Sequence, residues 1–358
     1  MNYNDYRRKS RKVLVGDVAV GGDAVISVQS MTNTDTHDVE ATFRQTLALA
    51  DAGCDIVRIT APDEESVKTF AELKQRGIKV PLVADIHFNY KIAVLAAEAG
   101  VDKIRINPGN IGSRENVREV VKACTERNIP IRIGVNSGSL EKEILEKYGA
   151  PTAEALAESA LYHAGLLEEF DFKNILISVK SSDVQTMIRA NRILAERTSY
   201  PLHLGVTEAG ARDRALVKSS VGVGTLLAEG IGDTVRISLT DDPIHEVESA
   251  KMILSSLGLL ENRGMDVVSC PTCGRTKIDL IALSLEFEKR AKALSLDKKN
   301  IKVALMGCAV NGPGEAREAD IGIAGGDGCG LLFKKGEIIR KIDEKYLIDE
   351  LISEISMM

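Results

Sequence analysis

Between residues 24 and 255, eight short runs rich in Val and Ile alternate with amphipathic stretches, and this alternation restricts the fold more than any other feature of the chain. The runs span 24–30, 54–60, 80–86, 101–107, 129–135, 174–180, 201–206 and 233–239. Helix-patterned segments lie between them. Several end on a glycine suited to a left-handed C-cap: Gly53, Gly77, Gly100 and Gly230. Asp38 and Asp183 stand where N-caps are expected. The longest gap, between the fifth and sixth runs, carries its own helix pattern at about residues 152–168. Eight strand–helix units predict a (β/α)8 TIM barrel. An open doubly wound sheet has the same local alternation, but the count of eight and the lack of a GxGxxG after the first run favour the barrel.

The pattern changes after residue 263, so we expect two domains, a barrel over 1–258 and a smaller α+β domain over 259–358. A net charge of −6 argues against a nucleic-acid partner held by bulk electrostatics, and 4% aromatics without Trp argue against stacking on single strands. The polar N-terminal segment lacks the apolar core of a signal peptide, and no apolar run reaches membrane-spanning length. The cytoplasm is therefore the expected compartment. Thiols stay reduced there, which makes paired cysteines metal-binding or catalytic in preference to disulfide-bonded.

Five of the runs carry a cation inside apolar neighbours: Arg58, Arg105, Arg132, Lys180 and Arg236. A small or polar residue commonly follows two positions later, as at Thr60, Asn107, Ser182 and Ser238. Alternation along a strand puts cation and polar residue on one face, which in a barrel is the interior near the C-terminal mouth. Five buried like charges need anions. The carboxylates visible at strand ends, Asp85 and Glu208, look too few to supply them. One Arg alone would pair with a loop carboxylate; five together point to a strongly anionic substrate such as a phosphate or diphosphate. Asp85 and His87 share a face at the third strand's end, and Glu208 is a candidate acid or base. His163, His203 and His245 read as structural.

Beyond the barrel, Cys270-Pro-Thr-Cys273-Gly opens a segment that continues through a helix pattern at about 277–295 and a strand at 301–306 into Gly307-Cys308 and the loop ending at Glu315. CxxC spacing lets two thiolates converge on one metal. Structural zinc would suit that pair alone, but a zinc ribbon needs a second knuckle. A CxxC with one distant cysteine suits an iron–sulfur cluster. Cys329 or Glu315 could supply a fourth ligand, and spacing does not choose between them. Cys54 and Cys124 read as packing residues.

The strings VRITAP, ADIHF, KIRINPGNIG, RIGVNSGS, HLGVTEAG, VRISL, SCPTCGR and MGCAVNGPGEA occur in this order. Together, over about residues 8–345, they resemble the bacterial 4-hydroxy-3-methylbut-2-en-1-yl diphosphate synthase family. The resemblance implies reductive ring opening and dehydroxylation of 2-C-methyl-D-erythritol 2,4-cyclodiphosphate in the non-mevalonate isoprenoid pathway. It implies a 4Fe–4S cluster held by Cys270, Cys273, Cys308 and Glu315, in a domain resembling a sulfite-reductase-like ferredoxin sandwich. Cys329 is then not a ligand. Electrons would come from flavodoxin or ferredoxin, and the chain would work as a homodimer in which one cluster domain closes over the partner's barrel. By the same likeness Arg58, Arg105, Arg132, Lys180 and Arg236 bind substrate with Asn107, Asn136, Thr207 and Ser238. Asp85 and His87 lie in the pocket, Glu208 transfers a proton, and Asn311 faces substrate beside the cluster. The rivals are a barrel transferase of the pterin-binding type with a structural zinc domain, and a simple electron carrier.

Overall fold

Each of the eight runs forms a strand, and all eight pair in parallel. The computed structural model describes residues 3–260, 264–308 and 316–358. A short hairpin, β1 (Val13–Val15) and β2 (Val18–Val20), comes first. The barrel strands are β3 (Ser27–Met31), β4 (Ile56–Thr60), β5 (Leu82–Asp85), β6 (Lys103–Ile106), β7 (Ile131–Asn136), β8 (Ile175–Lys180), β9 (His203–Leu204) and β10 (Thr234–Val235). Their order is β8-β7-β6-β5-β4-β3-β10-β9. The circuit closes between β8 and β9 through the Ile177–Leu202 bridge and a 2.9 Å bond from Ile177 N to Pro201 O. The last two strands are shorter than their Val/Ile runs.

Helix ends follow local chemistry. Asp38 accepts from Ala41 N at 2.9 Å and Asp183 from Thr186 N at 2.7 Å. Gly53, Gly77, Gly100 and Gly230 all have φ between 77° and 87°, the region a Cβ disfavours. The helix expected in the longest gap spans Ala153–Glu168. Outward strand residues such as Val57, Ile59, Ile104, Ile131 and Ile177 pack against the helices in the main core.

The hairpin was not foreseen, although Val15-Gly16-Asp17-Val18 is a two-residue turn between alternating valines. Gly16 adopts φ 59° at that turn. Val13, Val15 and Val20 pack against Ile56, Val83 and Leu176, inward residues near the N-terminal ends of their strands. The hairpin is thus a floor.

The chain divides into two units, Met1–Leu260 and Glu261–Met358. The second holds one sheet whose strands run in chain order: β11 (Asp266–Ser269), β12 (Lys302–Met306), β13 (Ile321–Gly325), β14 (Cys329–Lys334) and β15 (Glu337–Asp343). The first three are parallel and the last two antiparallel. Helices Leu280–Ala293 and Leu347–Ser356 touch each other and cover one face over Val303, Leu305, Ile321, Ile323 and Leu332. Ala316 and Ala319 pack on Ala304, Met306 and Phe333 of the other face.

Candidate active site

All five expected cations lie on the barrel strands or directly after them, and a sixth joins them. Lys103 precedes Arg105 by two residues on β6, so both point inward. Its Nζ reaches Gln29 Oε1 of β3 at 3.3 Å, across the barrel from a strand three places away. Arg105 and Arg132 are register partners, as are Asn136 and Lys180. Arg132 is fully enclosed, and its Nε and Nη1 find no hydrogen-bond partner among the described residues.

Two carboxylates answer these six basic groups. Asp85 Oδ1 receives Arg105 Nη1 at 3.0 Å, and Oδ2 lies 3.7 Å from Arg58 Nε. The second was missed in the sequence. Glu246, on helix Pro243–Ser256, grips Arg236 through Nε at 3.0 Å and Nη2 at 2.9 Å, and takes a 2.8 Å bond from Ser30. Its position one turn into a helix made it look like an ordinary solvent-facing acid.

Electrostatics follow from burial. Desolvation lowers the Arg58 pKa to about 10, although Asp85 opposes the shift. The same penalty, with neighbouring cations adding to it, pulls Arg132, Lys103 and Lys180 well below their ordinary values. Burial alone would raise the Asp85 carboxyl, but Arg58 and Arg105 outweigh it and hold it well below the usual carboxylate range. His203 lies inside the barrel with neither ring nitrogen hydrogen-bonded among the described residues, and burial plus the cations keep its pKa far below normal.

Two glycines make room for the cations. A Cβ on Gly134 would lie 2.8 Å from Arg105 Nη2, and one on Gly205 would lie 2.8 Å from Lys180 Nζ. Glycine inside a strand marks such close approaches, and that signal was present in RIGVN and HLGV.

Asn107 is buried, and its side chain caps the turn at Pro108–Ile111 by accepting from Gly109 N at 3.1 Å. Thr207 and Ser238 are half-buried past the ends of β9 and β10. His87 is half-exposed, with Nε2 3.9 Å from Asp85 Oδ2. Glu208 is exposed and adopts φ 51°, a left-handed conformation uncommon for a residue with a Cβ.

In the second unit, Cys270 and Cys308 follow adjacent parallel strands. Gly307 N donates to Cys270 Sγ at 3.2 Å. The CxxC turn closes on itself, with Cys273 N bonded to Thr276 Oγ1 at 3.0 Å and Thr276 N to Cys273 O at 2.9 Å. Lys277 N then bonds Gly307 O at 2.9 Å, which fastens this turn to the residue before Cys308. Cys273 is exposed, and its thiol is lowered mainly by the Arg275 backbone N–H and then by the Arg275 side chain. Cys329 opens β14 beside Gly326. Asn311 and Glu315 lie outside the described residues. Among the described residues, no three Cys, His, Asp or Glu side chains are grouped to hold a metal ion. Cys54 and Cys124 are buried, which pushes each thiol to about 12.

Fold and site together define a (β/α)8-barrel protein with a cation-lined mouth, joined to a cysteine-bearing α+β domain. The chain belongs to the GcpE family: the GcpE TIM-barrel domain matches residues 10–251, and the GcpE protein C-terminal domain matches 266–357. A 4-hydroxy-3-methylbut-2-en-1-yl diphosphate synthase (flavodoxin) of Clostridium perfringens is 60% identical over 349 residues, covering 98% of this chain and 99% of that one. The protein of the same name from Clostridium acetobutylicum is 57% identical, covering 98% and 99%. The solved N-acetylneuraminic acid synthetase of Leptospira borgpetersenii is similar in fold alone, with a TM-score of 0.50 and 13% identity over 80% of this chain and 98% of that one. No helix among the described residues is long and apolar enough to cross a membrane.

Proposed function

We propose that this chain is a 4-hydroxy-3-methylbut-2-en-1-yl diphosphate synthase, reducing 2-C-methyl-D-erythritol 2,4-cyclodiphosphate with two electrons and two protons and releasing one water. The observation that carries the reading is the excess of basic groups in the barrel, among the described residues six against the two carboxylates Asp85 and Glu246. A diphosphate supplies the missing negative charge. The name shared by the two relatives cited above agrees with this chemistry. A pterin-binding-type transferase with a zinc domain is disfavoured, because both halves of the chain match one family.

In this reading residues 1–258 bind substrate and residues 259–358 carry the redox group. Arg58, Arg105, Arg132, Lys180 and Arg236 bind the diphosphate, and Asn107, Asn136, Thr207 and Ser238 orient the remaining oxygens. Asp85 holds Arg58 and Arg105 in place while keeping its own negative charge. Glu208, exposed and backbone-strained at the mouth, moves the proton, with His87 beside the pocket. The cysteine loops fit a cluster, since thiols are soft donors and the Gly307 N–H already points at a sulfur. Cys270, Cys273, Cys308 and Glu315 would hold a 4Fe–4S cluster, and Asn311 would face the substrate. When bound, that cluster supplies electrons one at a time from flavodoxin, the donor named in the relatives, or from ferredoxin. We expect a homodimer working in the cytoplasm.

The test is anaerobic purification with iron, sulfide and zinc analysis, followed by turnover of the cyclodiphosphate with reduced flavodoxin. Iron and sulfide with turnover is the expected result. Stoichiometric zinc without sulfide would overturn the proposal.

A further inference from the structure

We propose that binding of a diphosphate at the barrel mouth draws a proton onto Lys103, a fully buried amine whose hydrogen-bond partner is the uncharged amide of Gln29. The inference rests on the anionic-substrate reading above and adds a protonation step to it.

Lys103 is fully buried, and the hydrogen-bond partner of its Nζ is the neutral amide of Gln29. It sits two residues below Arg105, about 6–7 Å deeper by strand rise. The charged and titratable groups of the same interior are Arg58 on β4, Asp85 on β5, Arg105 on β6, Arg132 on β7, Lys180 at the end of β8, His203 on β9 and Arg236 after β10. Glu246 enters from helix Pro243–Ser256. Asp85 is committed to Arg58 and Arg105, and Glu246 to Arg236. Among the described residues no counter-charge is left for an ammonium at 103.

Burial lowers the Lys103 pKa first, and the positive charges of Arg132 and Arg58 lower it further. A guanidinium keeps its proton under such conditions, whereas a lysine gives it up. The amine is therefore the weakest link in a row of cations. A polyanion arriving at the mouth reverses the sign of the local field, and its influence extends to a buried group several ångströms away because little solvent intervenes. The Lys103 pKa rises, and a proton enters wherever the pH lies between its free and bound values. Burial and the surrounding cations also lower the His203 pKa well below its ordinary value, so a variant at that position serves as the control. Lys180 shares the handicap, but it lies at the mouth itself, so its contribution must be separated from that of Lys103 by difference.

The experiment is calorimetric titration of the oxidised holoenzyme with inorganic diphosphate, in two buffers of unlike ionisation enthalpy, giving protons taken up per site. Comparing variants with one ligand cancels the ligand's own titration. At mildly alkaline pH the wild type should take up about one proton more than Lys103→Met, and His203→Gln should match the wild type. Equal uptake by wild type and Lys103→Met, with both binding, would overturn the inference and leave the substrate reading standing. Loss of the extra proton in His203→Gln would also overturn it. Failure of the wild type to bind diphosphate would overturn both readings. Should Lys103→Met not fold, Lys103→Gln takes its place in the same comparison. The excess uptake of the wild type over the variant should disappear as the pH falls through the free amine's pKa, and an excess indifferent to pH would refute the idea.

Discussion

The guanidinium of Arg105 occupies the space that a side chain at position 134 would need: a Cβ on Gly134 would lie 2.8 Å from Nη2 and 2.9 Å from Cζ. The displaced atoms are the far end of a flexible side chain, so Gly134→Ala should fold normally. Arg105 must move, and its 3.0 Å bond to Asp85 with it. KM for the cyclodiphosphate should rise by about tenfold while Tm changes little, since a factor of ten is about 1.4 kcal/mol of lost binding. Unchanged KM would mean that Arg105 does not touch substrate.

Arg58→Ala and Arg236→Ala should both raise KM, by roughly a hundredfold if each loses a charge-assisted contact. Their stabilities should part. Arg236→Ala strands Glu246 in a buried position with Ser30, and breaking a buried pair from one side costs about 3–5 kcal/mol. Arg58→Ala leaves Asp85 still paired with Arg105, and it relieves repulsion among the cations. Denaturant titration beside steady-state kinetics separates the two effects.

Asp85 makes an acid-range prediction. Its folded pKa is depressed, so its contribution to stability is complete above the unfolded value of about 3.9 and fades as pH falls toward the lower folded value. Asp85→Asn should therefore be less stable near neutrality. Its stability should also decline less steeply than that of the wild type below about pH 4. Parallel slopes in urea titrations across that window would contradict the assignment.

For the redox group, Glu315→Ala should retain much of the iron and sulfide but lose turnover, whereas Cys329→Ser should be mild. The reverse pattern would make Cys329 the fourth ligand. Any of Cys270→Ala, Cys273→Ala or Cys308→Ala should abolish the cluster, as read by visible absorbance and by iron and sulfide content.

How far the site could be read beforehand depended on the range of each signal. Arg58, Arg105, Arg132, Lys180 and Arg236 were legible because a cation among β-branched residues breaks a strong local pattern. Lys103 breaks the same pattern, but Val-Asp-Lys at the start of its run looks like a polar strand entrance. Glu246 was invisible for a different reason. Its burial comes from a helix packing beside β3, and no local periodicity distinguishes it from the Glu248 that follows. His203 reads as structural, and a lone histidine in an apolar run carries no indication that both its nitrogens will be enclosed without a hydrogen bond among the described residues. The hairpin Val13–Val20 was legible and overlooked, its alternating valines lying outside the repeat that drew attention.

That hairpin makes the barrel a blind well. Its apolar floor of Val13, Val15 and Val20 closes the end opposite the cations, so field lines from the buried charges leave chiefly by the mouth. The chain as a whole carries a formal charge of −6. An approaching polyanion thus meets a chain of net negative charge whose barrel cations attract it at the mouth, an electrostatic funnel that speeds capture of the right ligand and weakens as salt is added.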